Sequence, residues 1–221
     1  MKILIVSATA AEAGVSLEEY EEGKVYPSRN GIPDIDLLIT GVGSMATAFN
    51  IALNLKNYDL AINIGLAGSF DRKIPLGSVV RIKSDFFSDL GAEDHDNFLS
   101  LFELGLSDPN KYPFTNGIIK PIATADIILP DLIAYDAMTV NTVHGNAESI
   151  QKVTNKHPGV AIESMEGAAF FYACTIEGVP SIQIRAISNY IEPRNRSSWQ
   201  IEKALNNLHM ELQTWLKQLS S

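Results

Sequence analysis

The chain has one cysteine among 221 residues, Cys174, so no internal disulfide can staple it, and no CxxC or clustered Cys/His spacing is present to hold a structural zinc. Positive charge is also scarce. Seventeen Lys and Arg stand against 26 Asp and Glu, a formal net charge of -9. That sign opposes the long-range attraction to phosphate backbones on which most nucleic-acid binders rely, so no nucleic-acid partner is expected. Long apolar runs are missing as well. The opening Met1-Lys2-Ile3-Leu4-Ile5-Val6 gives way at once to small and polar residues. It is too short for a signal peptide or a membrane span, and no later segment approaches about 18 apolar residues. The expectation is a cytoplasmic protein with no membrane partner. The four histidines, His95, His144, His157 and His209, are scattered and read as surface or packing residues. Neither a metal nor an organic cofactor is called for.

What is present is the composition of an ordinary globular chain: 46% hydrophobic and 19% charged, with 15 Gly and 10 Pro. Its length lies within the range that α/β folds use for one domain, and residues 1–221 are read as a single domain. Short apolar, β-branched runs recur at 2–6, 35–40, 60–64, 79–82, 138–143, 160–162 and 180–187, as buried strands require. Helical periodicity falls between them, at 44–55, 147–154 and 165–177. A last helix at 197–216 carries Ile201, Leu205, Leu208, Leu212, Trp215 and Leu219 as a core-facing stripe, with Ser197 placed to cap its start. The pattern predicts an α/β fold, a sheet sandwiched by helices. Between Asp85 and Pro121 it becomes irregular and polar, and a long insertion of that kind in a compact fold is often functional.

Chemistry-bearing residues gather where strands end, the edge at which open α/β sheets bind ligands. After the first strand comes Ser7-Ala8-Thr9-Ala10-Ala11-Glu12, in which Glu12 is either a solvated first-turn acid or a site carboxylate. Gly41-Val42-Gly43 begins a dinucleotide-type pattern, but Ala46 occupies its third glycine position, so a tight turn is the plainer reading. Ile64-Gly65-Leu66-Ala67-Gly68-Ser69 is a second glycine corner, either a turn needing positive φ or, with Gly68, part of a shared ligand floor. Glu163-Ser164-Met165-Glu166-Gly167-Ala168-Ala169 sets two carboxylates at a strand-to-helix junction. There Glu166 can accept from two vicinal hydroxyls and Met165 offers an apolar surface. Arg185-Ala186-Ile187-Ser188-Asn189 ends the last strand, and the Asn189 amide can read a heterocycle edge or simply make a turn. Arg194 and Arg196, in Glu192-Pro193-Arg194-Asn195-Arg196-Ser197-Ser198-Trp199, can clamp a carboxylate or pair with surface acids.

These corners in this order resemble the 5'-methylthioadenosine/S-adenosylhomocysteine nucleosidases and purine nucleoside phosphorylases, over most of the chain and only loosely across 85–121. SMEGAA followed by RAISN is the specific part. The resemblance implies a three-layer αβα sandwich of the nucleoside phosphorylase type with a mixed central sheet. It implies a purine nucleoside as the small-molecule partner. It also implies a homo-oligomer in which a neighbour's loop, with 98–104 the candidate, closes the site. It gives Glu166 the ribose hydroxyls with Met165 beneath the sugar, and Glu12 the attacking water. Asn189 stands where adenine-specific nucleosidases carry an aspartate, and an asparagine amide can donate to a 6-oxo group, which points to hypoxanthine. Asn63 and Leu66 stand where bacterial phosphorylases carry an arginine and a serine, so hydrolysis is implied over phosphorolysis. ESMEGAA, RAISN and EPRNRSSW together resemble one branch of the family, whose inosine-like substrate bears a carboxyphenyl ketone arm that Arg194 or Arg196 would meet. The alternatives are a 5'-methylthioadenosine/S-adenosylhomocysteine nucleosidase, which Asn189 and Glu163-Ser164 disfavour, a phosphorylase, and a non-catalytic nucleoside-binding protein, against which Glu12 and Glu166 speak.

Overall fold

The computed structural model describes residues 1–16, 18–27, 34–122 and 127–219. In chain order it forms β1 (Ile3–Ser7), α1 (Ala10–Ala13), β2 (Val25–Pro27), β3 (Ile35–Ile39), α2 (Ser44–Asn54), β4 (Leu60–Ser69) and β5 (Val79–Ser84). Two hairpins follow, β6 (Gly91–Asp94) with β7 (Asn97–Ser100) and β8 (Phe114–Thr115) with β9 (Ile118–Ile119). The chain continues through β10 (Ala134–Thr139), α3 (Ala147–Lys156), β11 (Ile162–Ser164), α4 (Gly167–Glu177), β12 (Ser181–Tyr190) and α5 (Ile201–Leu219).

Eight strands form one sheet in the order β11-β10-β5-β12-β4-β1-β3-β2, with β11 also pairing with β4. That second pairing closes part of the sheet on itself. The sheet is mixed: β1, β3, β4 and β12 run parallel to their neighbours in that group, whereas β5 and β12 are antiparallel. Two apolar cores lie on its opposite faces. One contains Ile51 of α2 and Phe170 and Phe171 of α4; the other contains Ala10 of α1 and Leu208, Leu212 and Trp215 of α5. The architecture is therefore the three-layer sandwich that the strand and helix pattern implies.

The helices end where local chemistry dictates. Asn146 caps α3 by accepting from the N–H groups of Glu148 and Ser149, and α4 stops at Gly178 in the left-handed region, φ 73°. The terminal helix begins later than its stripe suggests. Residues 196–198 form a separate 3₁₀ turn, and α5 starts at Ile201, which is 42% exposed and faces a cleft instead of the core. Its buried stripe is Ala204, Leu208, Leu212, Trp215 and Leu216. Each large member contributes about 1.5–3 kcal/mol of burial, and Trp215 Nε1 donates to Ile128 O at 2.8 Å.

Three other expectations change. The 138–143 run is a strand at 134–139, because pairing with β5 and β11 sets its register; residues 140–146 are thereby freed as a connection to α3. The 85–121 segment is not irregular throughout, since the two hairpins occupy part of it. The glycine corner at 64–69 is no turn. It is the continuation of β4, in which neither Gly65 nor Gly68 adopts positive φ.

Candidate active site

A cleft of about 250 Å³ opens at the carboxyl ends of β1, β4 and β12. Glu12, Gly68, Met165, Glu166, Asn189 and Arg194 all line it, so six of the seven residues singled out in the sequence meet in one place. Arg196 is the seventh and does not line it. Both arginines lie over Trp199, with Cζ 5.3 Å (Arg194) and 5.7 Å (Arg196) from the ring centroid, and Trp199 itself lines the cleft.

Glu12 sits in the one-turn helix α1, where it forms a capping box with Thr9. Its Oε2 accepts from Thr9 N (3.1 Å) and Thr9 Oγ1 (2.9 Å). Its Oε1 reaches across to accept from Leu66 N at 2.9 Å. Glu12 is therefore no loosely solvated acid, because three donors from two elements fix its carboxylate. Gly65 makes this possible: a Cβ there would stand 2.8 Å from Glu12 Oε1 and 2.7 Å from Arg185 Nη1.

Glu166 is buried at the start of α4 and makes no side-chain bond to its own helix. Instead its Oε1 accepts from Gly43 N at 3.0 Å, at the otherwise uncapped N-terminus of α2, while Ser44 Oγ donates to Met165 O. Gly41 and Gly43 have φ of 80° and 94°, which explains the glycines at that turn. Burial raises the Glu166 pKa; the Arg185 guanidinium and the Gly43 N–H oppose the rise, and the nearby Glu12 carboxylate adds to it. The two carboxylates thus face one space.

Arg185 is fully buried in β12, and its Nη2 donates to Asn63 Oδ1. Asn63, in turn, donates to Val6 O and is itself buried. Arg194 is the one guanidinium among the described lining residues. Asn189 Oδ1 accepts from Ser188 Oγ (2.9 Å) and Nδ2 donates to Tyr190 O (3.1 Å), which leaves the amide's second N–H for a ligand.

Three features of the site were not drawn from the sequence. His144, read as a surface or packing residue, lines the cleft: its N–H donates to Glu163 Oε1 at 3.1 Å, and its Nδ1 is hydrogen-bonded to Glu163 Oε2. Trp199 organises both arginines. Asp85 lies fully buried behind Gly167, where a Cβ would fall 2.1 Å from its Oδ2. Among the described residues, no group of three or more His, Cys, Asp or Glu is placed to hold a metal ion, and no helix is long and apolar enough to cross a membrane.

A cleft at strand ends with two facing carboxylates and one amide, on a partly closed mixed sheet, defines a class of protein. The model of the phosphorylase superfamily matches residues 2–219, and the chain belongs to that superfamily. Within it, the chain is 32% identical over 218 residues to a futalosine hydrolase from Streptomyces coelicolor, covering 93% of this chain and 91% of the relative. It is 30% identical over 220 residues to a futalosine hydrolase from Acidothermus cellulolyticus, covering 94% and 87%. The fold is shared with a 5'-methylthioadenosine/S-adenosylhomocysteine nucleosidase from Colwellia psychrerythraea solved with adenine. The TM-score is 0.76 at 21% identity, covering 99% of this chain and 96% of that one.

Proposed function

We propose that this chain is a cytoplasmic N-ribosyl hydrolase that cleaves futalosine to hypoxanthine and dehypoxanthine futalosine, a step of menaquinone biosynthesis, with residues 1–221 working as one nucleosidase domain. The observation that carries the reading is the meeting of Glu12, Glu166 and Asn189 in one cleft, in a chain about a third identical to a futalosine hydrolase.

Glu166, buried and held by Gly43 N–H, accepts the ribose hydroxyls above Met165. Glu12, fixed by three donors, orients water at the anomeric carbon and takes its proton. The water oxygen bonds to that carbon through an oxocarbenium-like transition state, and the electron pair of the N-glycosidic bond leaves with the purine. Asn189 donates to the leaving hypoxanthine as negative charge grows on it, a contribution of about 10²-fold or more for a preorganised donor. Gly68, with Ile191 packed over it, forms the floor beneath the base, and Arg194, braced on Trp199, meets the carboxylate of the substrate's arm. Arg196 supports the same indole from outside the cleft.

Hydrolysis is favoured over phosphorolysis because, among the described residues at that corner, Leu66 N–H is committed to Glu12 and the one guanidinium, Arg185, is buried, bonded to Asn63 and outside the cleft lining, so it is not presented to a phosphate. A homo-oligomer is part of the proposal: Met45, Phe49 and Leu53 form an exposed apolar face on α2 at four-residue spacing. Incubation with futalosine in phosphate-free buffer, followed by chromatography, is expected to release hypoxanthine. Release that requires phosphate and yields a ribosyl phosphate would make the chain a phosphorylase instead.

A further inference from the structure

The mechanism above leaves one cleft-lining pair without work. Glu163 is 2% exposed, and both of its carboxylate oxygens are engaged by His144, one by the backbone N–H and the other by Nδ1. A carboxylate only accepts, so Nδ1 carries a hydrogen, and in the neutral ring Nε2 is then an acceptor. Nε2 has no hydrogen-bond partner among the described residues, although the ring lines the cleft. A pair that served only to satisfy a buried acid would not need to present a tautomer-fixed imidazole to the ligand space.

The sheet says where that imidazole stands. Gly68 of β4 is the register partner of Asn189 on β12 and also of Glu163 on β11. Three strands therefore carry Asn189, a glycine and Glu163 at one level. Aligned partners on neighbouring strands project to the same face, and two strand spacings separate the outer Cα atoms by about 10 Å. Gly68 adds no side chain of its own there, and the Ile191 side chain packs over it instead: a Cβ on Gly68 would stand 2.2 Å from Ile191 Cδ1 and 3.2 Å from Asn189 Nδ2. The result is a stretch of the cleft floored by Gly68 and Ile191, with an amide on one wall and the Glu163-supported imidazole on the other.

A heterocycle lying against Ile191, above Gly68, meets both walls with its polar edges. A 6-oxopurine offers a donor at N1–H and acceptors at O6 and N7, whereas a 6-aminopurine offers a lone pair at N1 and donors at position 6. The Asn189 donor matches the acceptors of the first, and an acceptor on the opposite wall matches its N1–H. We propose that the His144–Glu163 pair is a second specificity-determining group, in which His144 Nε2 accepts N1–H of a 6-oxopurine and Glu163 fixes the ring's tautomer and orientation. A 6-aminopurine sets its N1 lone pair against the Nε2 lone pair and is rejected. Sites built around such a bond discriminate strongly, because the wrong base leaves a buried polar group unpaired. This inference rests on the reading of the cleft as a purine nucleoside site.

The test is calorimetric binding of hypoxanthine and adenine to the wild type and to His144→Ala, His144→Gln and Glu163→Gln, with melting temperatures recorded for each. The wild type should prefer hypoxanthine. His144→Ala and Glu163→Gln should each weaken hypoxanthine about tenfold or more while adenine changes by no more than about twofold. His144→Gln, whose amide oxygen accepts the same hydrogen, should recover part of the loss. Should Glu163→Gln fail to fold, the two His144 variants decide alone, since that residue lies in the connection before α3. Equal weakening of both bases, or no change in their ratio, would overturn the inference. Failure of the wild type to cleave futalosine while it still prefers hypoxanthine would count against the proposed reaction and leave this pair's role standing.

Discussion

At the scale of single residues, the site depends on carboxylates being held by backbone donors from other elements. Glu12 accepts from Leu66 N and Glu166 from Gly43 N, so each acid is aimed by the strand or turn opposite it. Glu12→Gln keeps an oxygen for Leu66 N and should leave the fold intact, but it cannot take a proton from water. Single-turnover futalosine cleavage is expected to fall about 10²- to 10⁴-fold with substrate affinity within about threefold; a near-normal rate would remove Glu12 from the chemistry. Much of this scale was legible in the sequence, because Glu12, Gly68, Met165, Glu166, Asn189 and Arg194 sit beside strand ends and glycines. His144 was not legible: an isolated histidine before Gly145-Asn146 carries no signal until β11 delivers Glu163 to it. Arg194 and Arg196 are equivalent in the sequence, and the 3₁₀ turn at 196–198 separates them.

At the scale of elements, the junction of β11 with α4 rests on a buried acid that does not line the cleft. Asp85 accepts from Phe86 N, Thr139 Oγ1 and Gln183 Nε2, and Thr139 Oγ1 in turn accepts from Ala168 N in the first turn of α4. Burial lifts the Asp85 pKa to about 7 despite those donors and the Arg185 charge. Between its ordinary value of 3.8 and about 7, the native state keeps a proton that the unfolded chain has lost. Stability from this group is therefore present at low pH and declines as pH rises through that window. Asp85→Asn should flatten the decline: urea midpoints at pH 5 and pH 8 should differ less in the variant than in the wild type, and an unchanged difference would show that Asp85 does not titrate there. The elements themselves were partly legible. Strong apolar runs located β1, β3 and β4, but β10 is displaced by four residues because Ala134-Tyr135-Asp136 lacks an apolar pattern and takes its place by pairing with β5. The β8–β9 hairpin carries the Asn116-Gly117 signal of a tight turn, with φ of 51° and 76°, inside a segment whose polarity masked it.

At the scale of the whole molecule, β11 joins the closure of the sheet to the make-up of the cleft. By pairing with both β10 and β4 it closes part of the sheet and sets Glu163 level with Gly68 and Asn189. Sequence periodicity finds strands one at a time and has no term for such a closure; only the family resemblance anticipated a mixed sheet. The exposed Met45, Phe49 and Leu53 face on α2 belongs to this scale too. Phe49→Glu should shift the protein towards monomer in size-exclusion chromatography with light scattering; a wild type already monomeric would exclude the oligomer. The central claim, that the Glu12, Glu166 and Asn189 cleft cleaves a 6-oxopurine nucleoside, is tested most directly by kcat/KM for futalosine, its 6-amino counterpart and 5'-methylthioadenosine, compared in phosphate-free buffer. Futalosine should exceed both 6-aminopurine nucleosides by about 10²-fold or more. Turnover of 5'-methylthioadenosine equal to or above that of futalosine would contradict the account.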